Sequence, residues 1–421
     1  MCIAGNRMMD ILSDELGFAF KRCGKLLVGT TDEDFHTLQQ MIDQGSANGV
    51  DGLELLSEED MHRLVPKAIG RFAMFSPHSG IIDPFEFTIA LAENAAMNGV
   101  KYHFGCEVTD ITYKNGMYCV TTTAGVIDAR WIINSAGLGC GKISDMLGIN
   151  GYHVVGSKGD YIILDKCVGK DLPMPVYPVP SNTYMGIHVT NTIDGNVIVG
   201  PNAISVDDFS YYGVPQSSMD YLADNARKIW PCIFKQDYIR NYSGILPKWI
   251  DQNGIIQDFR IEIRPEIAPH AVNLIGIESP GLTAAVPIAN WVIEMMKEYE
   301  TFQENPHFNP IRRGIARFDR QTDDMKAALI REDPNYGEIV CRCEKVTKAE
   351  LLKAIHNPLG VHTIVGIKYR TRTMMGRCQG GYCQMRLAQL LQEELHLAAE
   401  EVVYSKPESH LFVGTLRKEG F

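Results

Sequence analysis

Trp131-Ile132-Ile133-Asn134-Ser135-Ala136-Gly137-Leu138-Gly139-Cys140-Gly141 is the stretch on which the fold class turns. Its apolar start reads as a short buried strand, its glycines as a tight turn, and Lys142 to Leu147 as the beginning of a helix. The same order of strand, turn and helix returns at Val272-Asn273-Leu274-Ile275-Gly276, which passes through Ile277-Glu278-Ser279-Pro280-Gly281 into a helix predicted from about Leu282 to Tyr299. Two such units in one chain indicate an α/β sheet. Between them, residues 151–265 alternate strand-like runs (Tyr161 to Leu164, Val197 to Gly200) with turns, the pattern of a largely antiparallel domain.

Working upstream, Asp83-Pro84 predicts a helix start, with Asp83 as the N-cap, Pro84 at the first helical position and Asn98-Gly99 as the stop. Short alternating runs around Val108, Tyr113 and Val120, broken by Lys114-Asn115-Gly116, predict a three-stranded meander. Downstream, residues 301–335 are rich in Pro, Asn, Arg and Asp and read as a linker. Fifty-one acidic against forty basic residues give a net charge of −11, which disfavours nucleic acid as a partner. No run approaches the ~18 apolar residues of a membrane span, and the opening residues lack a secretory layout. The expectation is a cytoplasmic protein with no integral membrane segment, peripheral at a membrane only through a partner.

The cysteines carry the most specific signal. Cys341-Arg342-Cys343 is followed thirty-five positions later by Cys378-Gln379-Gly380-Gly381-Tyr382-Cys383. Four soft sulfur ligands suit an iron–sulfur cluster or zinc, and a C-x-C pair is cramped for structural zinc. Arg342, Arg370, Arg372 and Arg377 flank these residues and are positioned in sequence to offset the charge of a thiolate-bound cluster.

With Arg370-Thr371-Arg372 and Gly376-Arg377-Cys378-Gln379-Gly380, this region resembles the bacterioferritin-associated-ferredoxin type of 2Fe-2S domain, in the version appended to the large subunit of anaerobic glycerol-3-phosphate dehydrogenase and its relatives. The resemblance continues upstream through Ser79-Gly80-Ile81-Ile82-Asp83-Pro84, Ile133-Asn134-Ser135-Ala136-Gly137, Lys158-Gly159-Asp160-Tyr161 and Gly276 to Thr283. These are marks of the FAD-dependent oxidoreductase superfamily that also contains D-amino-acid and L-2-hydroxyglutarate oxidases. The fold it implies is an α/β flavoprotein: an incomplete FAD-binding Rossmann-like domain, an antiparallel β-sheet substrate domain and a small C-terminal α-rich 2Fe-2S domain. The implied boundaries are 1–150 for a truncated part of the FAD-binding domain with interleaved substrate-domain segments, 151–265 for the substrate domain, and 266–300 for the return to the FAD-binding domain. The linker at 301–335, the cluster domain at 336–397 and a tail at 398–421 complete the chain.

The resemblance assigns FAD contacts to Val108, Ala136, Gly137, Gly276, Glu278, Ser279, Pro280, Gly281, Leu282 and Thr283, and cluster ligation to Cys341, Cys343, Cys378 and Cys383. Physics supports one of these independently, because a glycine loop opening a helix presents free N–H groups and a positive dipole end to a reduced flavin. The family's opening strand, its G-x-G-x-x-G turn and its ribose-binding acid have no counterpart here, which implies weak FAD binding by the chain as written. Gly137-Leu138-Gly139 does not replace them, since the third glycine would fall on Lys142. Relatives carry a substrate-clamping arginine where Leu246 stands, so Lys248 or Lys158 is expected to supply the charge for an anionic substrate, with Tyr161 and His188 near it. The implied reaction moves a hydride from a small hydroxy substrate (glycerol 3-phosphate or a 2-hydroxy acid) to flavin, and electrons then pass through the cluster to a protein partner, a second flavoprotein or an iron–sulfur subunit. The rival expectation is an electron-transfer or scaffold subunit without its own flavin.

Overall fold

The computed structural model describes residues 1–181 and 185–414 and divides into two compact units. The first comprises residues 1–9, 21–81 and 103–305. At its glycine-loop end, strands Ile132–Asn134 and Ala271–Ile275 run parallel, with Arg260–Ile263 antiparallel on the far side of the latter. Asn134 donates to Asn273 Oδ1 (2.7 Å) and to the Cys140 carbonyl, while Asn273 donates to Ser144 Oγ and Ser144 to the Ile149 carbonyl. These buried polar groups satisfy one another and so fix where both strands end and both turns begin. The expected buried strand is buried on one face only: Asn134 is enclosed, whereas Ile133 is 45% exposed. The predicted meander forms as Val108–Lys114, Met117–Thr122 and Gly125–Ala129, turning at Asn115 (φ 53°) and Gly116 (φ 82°).

The rest of this unit is a nine-stranded mixed sheet. Its two longest strands, His153–Leu164 and Tyr238–Ile250, pair antiparallel along almost their whole length, with Tyr161 opposite Tyr242. The expected 151–265 sheet is joined by the interleaved N-terminal strands Lys25–Gly29, Glu54–Ser57 and Phe72–Ser76, and one junction, Val176–Pro178 beside Lys25–Gly29, is parallel. Alternation places Ile162, Leu164, Val176, Val189, Val197 and Val199 in one apolar cluster with Trp230 and with Leu222, Ala223 and Ala226 of helix Gln216–Ala226. Residues of the opposite parity therefore project from the sheet's other face.

The second unit gathers residues 10–20, 82–102 and 306–414. Helix Pro84–Met97 starts as predicted, Asp83 accepting from the amides of Phe85 and Glu86. Its Glu93 is buried between two arginines, Arg312 Nη2 (2.7 Å) and Arg370 Nε (3.1 Å), and Phe85 stacks on Tyr369 at 3.9 Å. The linker expectation for 301–335 is corrected here: the stretch contains helix Asp323–Glu332, and Arg312 and Arg317 are buried beside Glu93 and Glu350. Its charges looked solvated because their carboxylate partners lie far away in sequence. The tail expectation for 398–421 is corrected too, since Val402 is buried and the Val403 carbonyl accepts from the Ile364 amide. Residues 415–421 lie outside the described residues. The core of this unit is made by helices Lys348–Ile355, Ile364–Thr371 and Gln384–Leu395. Among the described residues, no helix is long and apolar enough to cross a membrane.

Candidate functional site

Cys341 ends the short strand Ile339–Cys341, Cys343 sits in the turn that follows, and Cys378 and Cys383 bracket the turn leading into helix Gln384–Leu395. The fold brings all four together as two hydrogen-bonded pairs, Cys341 with Cys383 in the interior and Cys343 with Cys378 at the surface. Arg372, Met374 and Gln379 adopt left-handed φ angles (67°, 71° and 48°), which turn successive amides toward the sulfurs. The Met374 and Glu344 amides donate to Cys341, that of Met374 also to Cys383, and those of Tyr382 and Gly380 to Cys378. Cys341 is pulled down to about 6, chiefly by the hydrogen bond from the Cys383 thiol, and that same bond drives Cys383 upward. Gly376 is required, because a Cβ there would stand 2.3 Å from that of Cys343.

Among the described residues, no three cysteine, histidine or acidic side chains stand at the spacing of a single bound ion. Four sulfurs in two pairs, ringed by amide donors, fit a two-iron cluster with a pair on each iron better than one tetrahedral zinc. The flanking arginines do less than their positions suggested. Arg370 is paired with Glu93 and Arg372 with Glu344 (3.0 Å), while Arg342 lies over the Tyr382 ring.

In the other unit, the turns after Asn134 and Ile275 leave neighbouring parallel strands at their carboxyl ends, the usual crevice position for a ligand in such sheets. Gly137 has φ 56° with open space beside it, whereas Gly276 has φ 66° and packs so tightly that a Cβ would meet Trp249 at 2.2 Å. Helix Gly281–Lys297 opens without a side-chain cap; the Gly281 amide donates to the Glu278 carbonyl, and those of Leu282 and Thr283 keep their donor capacity. Glu278 is taken by Lys248 Nζ at 2.7 Å. Val108 packs partly buried against the meander core, while its neighbour Glu107 reaches Lys142 at the start of the glycine-turn helix (3.1 Å). This cradle suits a flat cofactor whose reduced form carries negative charge, as FAD does.

The expected substrate residues divide. Lys158 is 1% exposed, bonded to Asp160 (2.5 Å) and the Gly213 carbonyl, and has the parity of the apolar face, so it is a neutralised core lysine. Lys248 is likewise neutralised by Glu278. Tyr161 and His188 lie on the other face, Tyr161 stacked on Tyr242 (4.8 Å) and His188 on Tyr177 (3.6 Å). Burial lowers the His188 pKa to about 4, against a small upward pull from the Met185 carbonyl and with a further lowering by Lys25. Tyr177, Tyr242 and Lys25 were missed by sequence reasoning, and the only signal for them was two-residue alternation on strands whose pairing sequence does not reveal.

Residues 1–295 match the profile of the FAD dependent oxidoreductase family, and residues 339–393 that of the BFD-like 2Fe-2S binding domain. The chain is 34% identical to a glycerol 3-phosphate dehydrogenase from Caloramator mitchellensis over 99% of its own length and 86% of that protein. An L-2-hydroxyglutarate dehydrogenase from Escherichia coli O17:K52:H18 is 26% identical over 72% of this chain and 80% of its own. Among solved structures, the L-alpha-glycerophosphate oxidase from Mycoplasma pneumoniae with FAD bound shares the fold at a TM-score of 0.68 and 24% identity, covering 74% of this chain and 82% of that one.

Proposed function

Since the chain belongs to the FAD-dependent oxidoreductase family and carries a BFD-like 2Fe-2S domain, we propose that it is the flavoprotein component of a dehydrogenase that oxidises a small anionic hydroxy substrate and delivers the electrons to a protein partner. The observation that carries this reading is the gathering of Cys341, Cys343, Cys378 and Cys383 in a chain whose other unit has the flavoprotein fold. When bound, FAD supplies the two-electron chemistry and the cluster a one-electron relay. The chain's own part is positioning. The uncapped amides of Leu282 and Thr283 and the close approach allowed by Gly137 hold the flavin end of the cofactor. The rings of Tyr161, Tyr242, Tyr177 and His188 line the sheet face on which the substrate lies. With its Nε2 donating to the Met185 carbonyl, neutral His188 keeps a lone pair on Nδ1 and can accept the hydroxyl proton.

The substrate class is drawn from glycerol 3-phosphate and 2-hydroxy acids, which the names of the similar dehydrogenases support. The acceptor is a second flavoprotein or an iron–sulfur subunit. Anaerobically purified protein, reconstituted with FAD, iron and sulfide and given an artificial electron acceptor, tests the reading. Substrate-dependent acceptor reduction with sn-glycerol 3-phosphate or L-2-hydroxyglutarate, together with reduction of the cluster, is the expected result. A cofactor-replete protein that oxidises neither would overturn it, and a cluster spectrum without flavin bands would favour an electron carrier.

A further inference from the structure

Across the sheet, strands Tyr238–Ile250, His153–Leu164, Val197–Gly200, His188–Asn191, Val176–Pro178 and Lys25–Gly29 lie side by side in that order. Their registers align Tyr242 with Tyr161 and place His188 opposite Gly200 and beside Tyr177, all on the face away from the apolar cluster. Gly200 leaves room for the Tyr161 ring, since a Cβ at that position would come within 2.8 Å of Tyr161 Cδ1. The result is a transverse row of rings that ends in a cation, because Lys25 Nζ stands 5.2 Å over the centre of the Tyr177 ring.

Lys25 differs from the two lysines first expected to meet substrate. Lys158 has Asp160 and Lys248 has Glu278, whereas Lys25 has no carboxylate at ion-pair distance among the described residues. Burial without a counter-charge disfavours the ammonium and lowers its pKa, and a cation–π contact compensates only partly. A half-buried cation at the end of a ring-lined face lacks one component, and an incoming anion supplies it. We propose that Lys25 is the counter-ion for the anionic group of the substrate, with Tyr177, His188, Tyr161 and Tyr242 forming the platform for its carbon skeleton. Lys25 is thus a specificity-determining residue that no sequence motif marks.

The inference rests on the reading that the chain oxidises an anionic hydroxy substrate, and the experiment keeps the two separable. Wild type, Lys25→Met and Lys25→Arg, all full length and cofactor-loaded, are titrated with L-2-hydroxyglutarate and with sn-glycerol 3-phosphate, following intrinsic fluorescence for Kd and acceptor reduction for KM and kcat. Melting curves control for folding. The expected result is that Lys25→Met raises Kd and KM for the hydroxy acid roughly tenfold or more with kcat changed far less, and that Lys25→Arg recovers part of the loss. Lys25-dependent binding without turnover would sink the dehydrogenase reading and keep the site. Turnover with unchanged Kd and KM in Lys25→Met, or no measurable anion binding by wild type, would overturn the Lys25 assignment. Should Lys25→Met fail to fold, Lys25→Gln carries the same comparison.

Discussion

Burial beside Tyr177 strips water from the His188 ring and lowers its pKa to about 4, from an ordinary 6.5. Between those two values the unfolded chain binds more protons than the folded one, so this residue withdraws stability as the pH falls from about 6.5 toward about 4. Above that window His188 is neutral in both states and contributes nothing. The expected outcome is an imidazole that remains unprotonated throughout the neutral range in an NMR titration, and a His188→Gln variant whose melting temperature falls less than wild type between pH 7 and pH 5. A His188 signal titrating near 6.5 would contradict the burial argument. The imidazole was legible in the sequence only as one histidine among twelve. Its ring partner Tyr177 lies on another strand, and strand pairing is the part of a sheet that local pattern encodes least.

At the scale of elements, local rules served well where the cause was local. Asp83-Pro84 names a helix start because capping and the proline φ act within three residues, and Asn115-Gly116 names a hairpin because the turn itself needs two positive φ angles. The same reasoning failed for residues 301–335, since nothing near Arg312 in the chain announces Glu93. Helix Pro84–Met97 depends on that unannounced bond. Removing the Glu93 carboxylate leaves two buried guanidinium groups, Arg312 and Arg370, with no carboxylate between them. Glu93→Ala is therefore expected to destabilise the second unit by about 3–5 kcal/mol, the usual cost of breaking a buried ion pair from one side. Urea unfolding monitored through that unit checks this, and a change within about 0.5 kcal/mol, typical of a surface substitution, would show that water already reaches the pair.

For the molecule as a whole, the four cysteines were the most legible feature, because C-x-C and a second pair within six residues leave little room for another chemistry. Cys378→Ser is expected to abolish stoichiometric iron and sulfide while flavin binding by the first unit persists, measured by metal analysis and visible spectra on one preparation. Loss of flavin along with iron would mean that the two centres are not built independently.

The second unit is drawn from three separated stretches of chain, with Glu93 in the middle one and both of its arginines in the last. During translation the carboxylate-bearing helix leaves the ribosome long before either arginine exists, and it must wait, unneutralised, for the carboxyl terminus to arrive. A messenger cut short after the oxidoreductase region would lose more than its electron relay, because that helix would never receive its partners. Moved without an acidic helix, the ferredoxin region would leave Arg370 without the carboxylate it meets here.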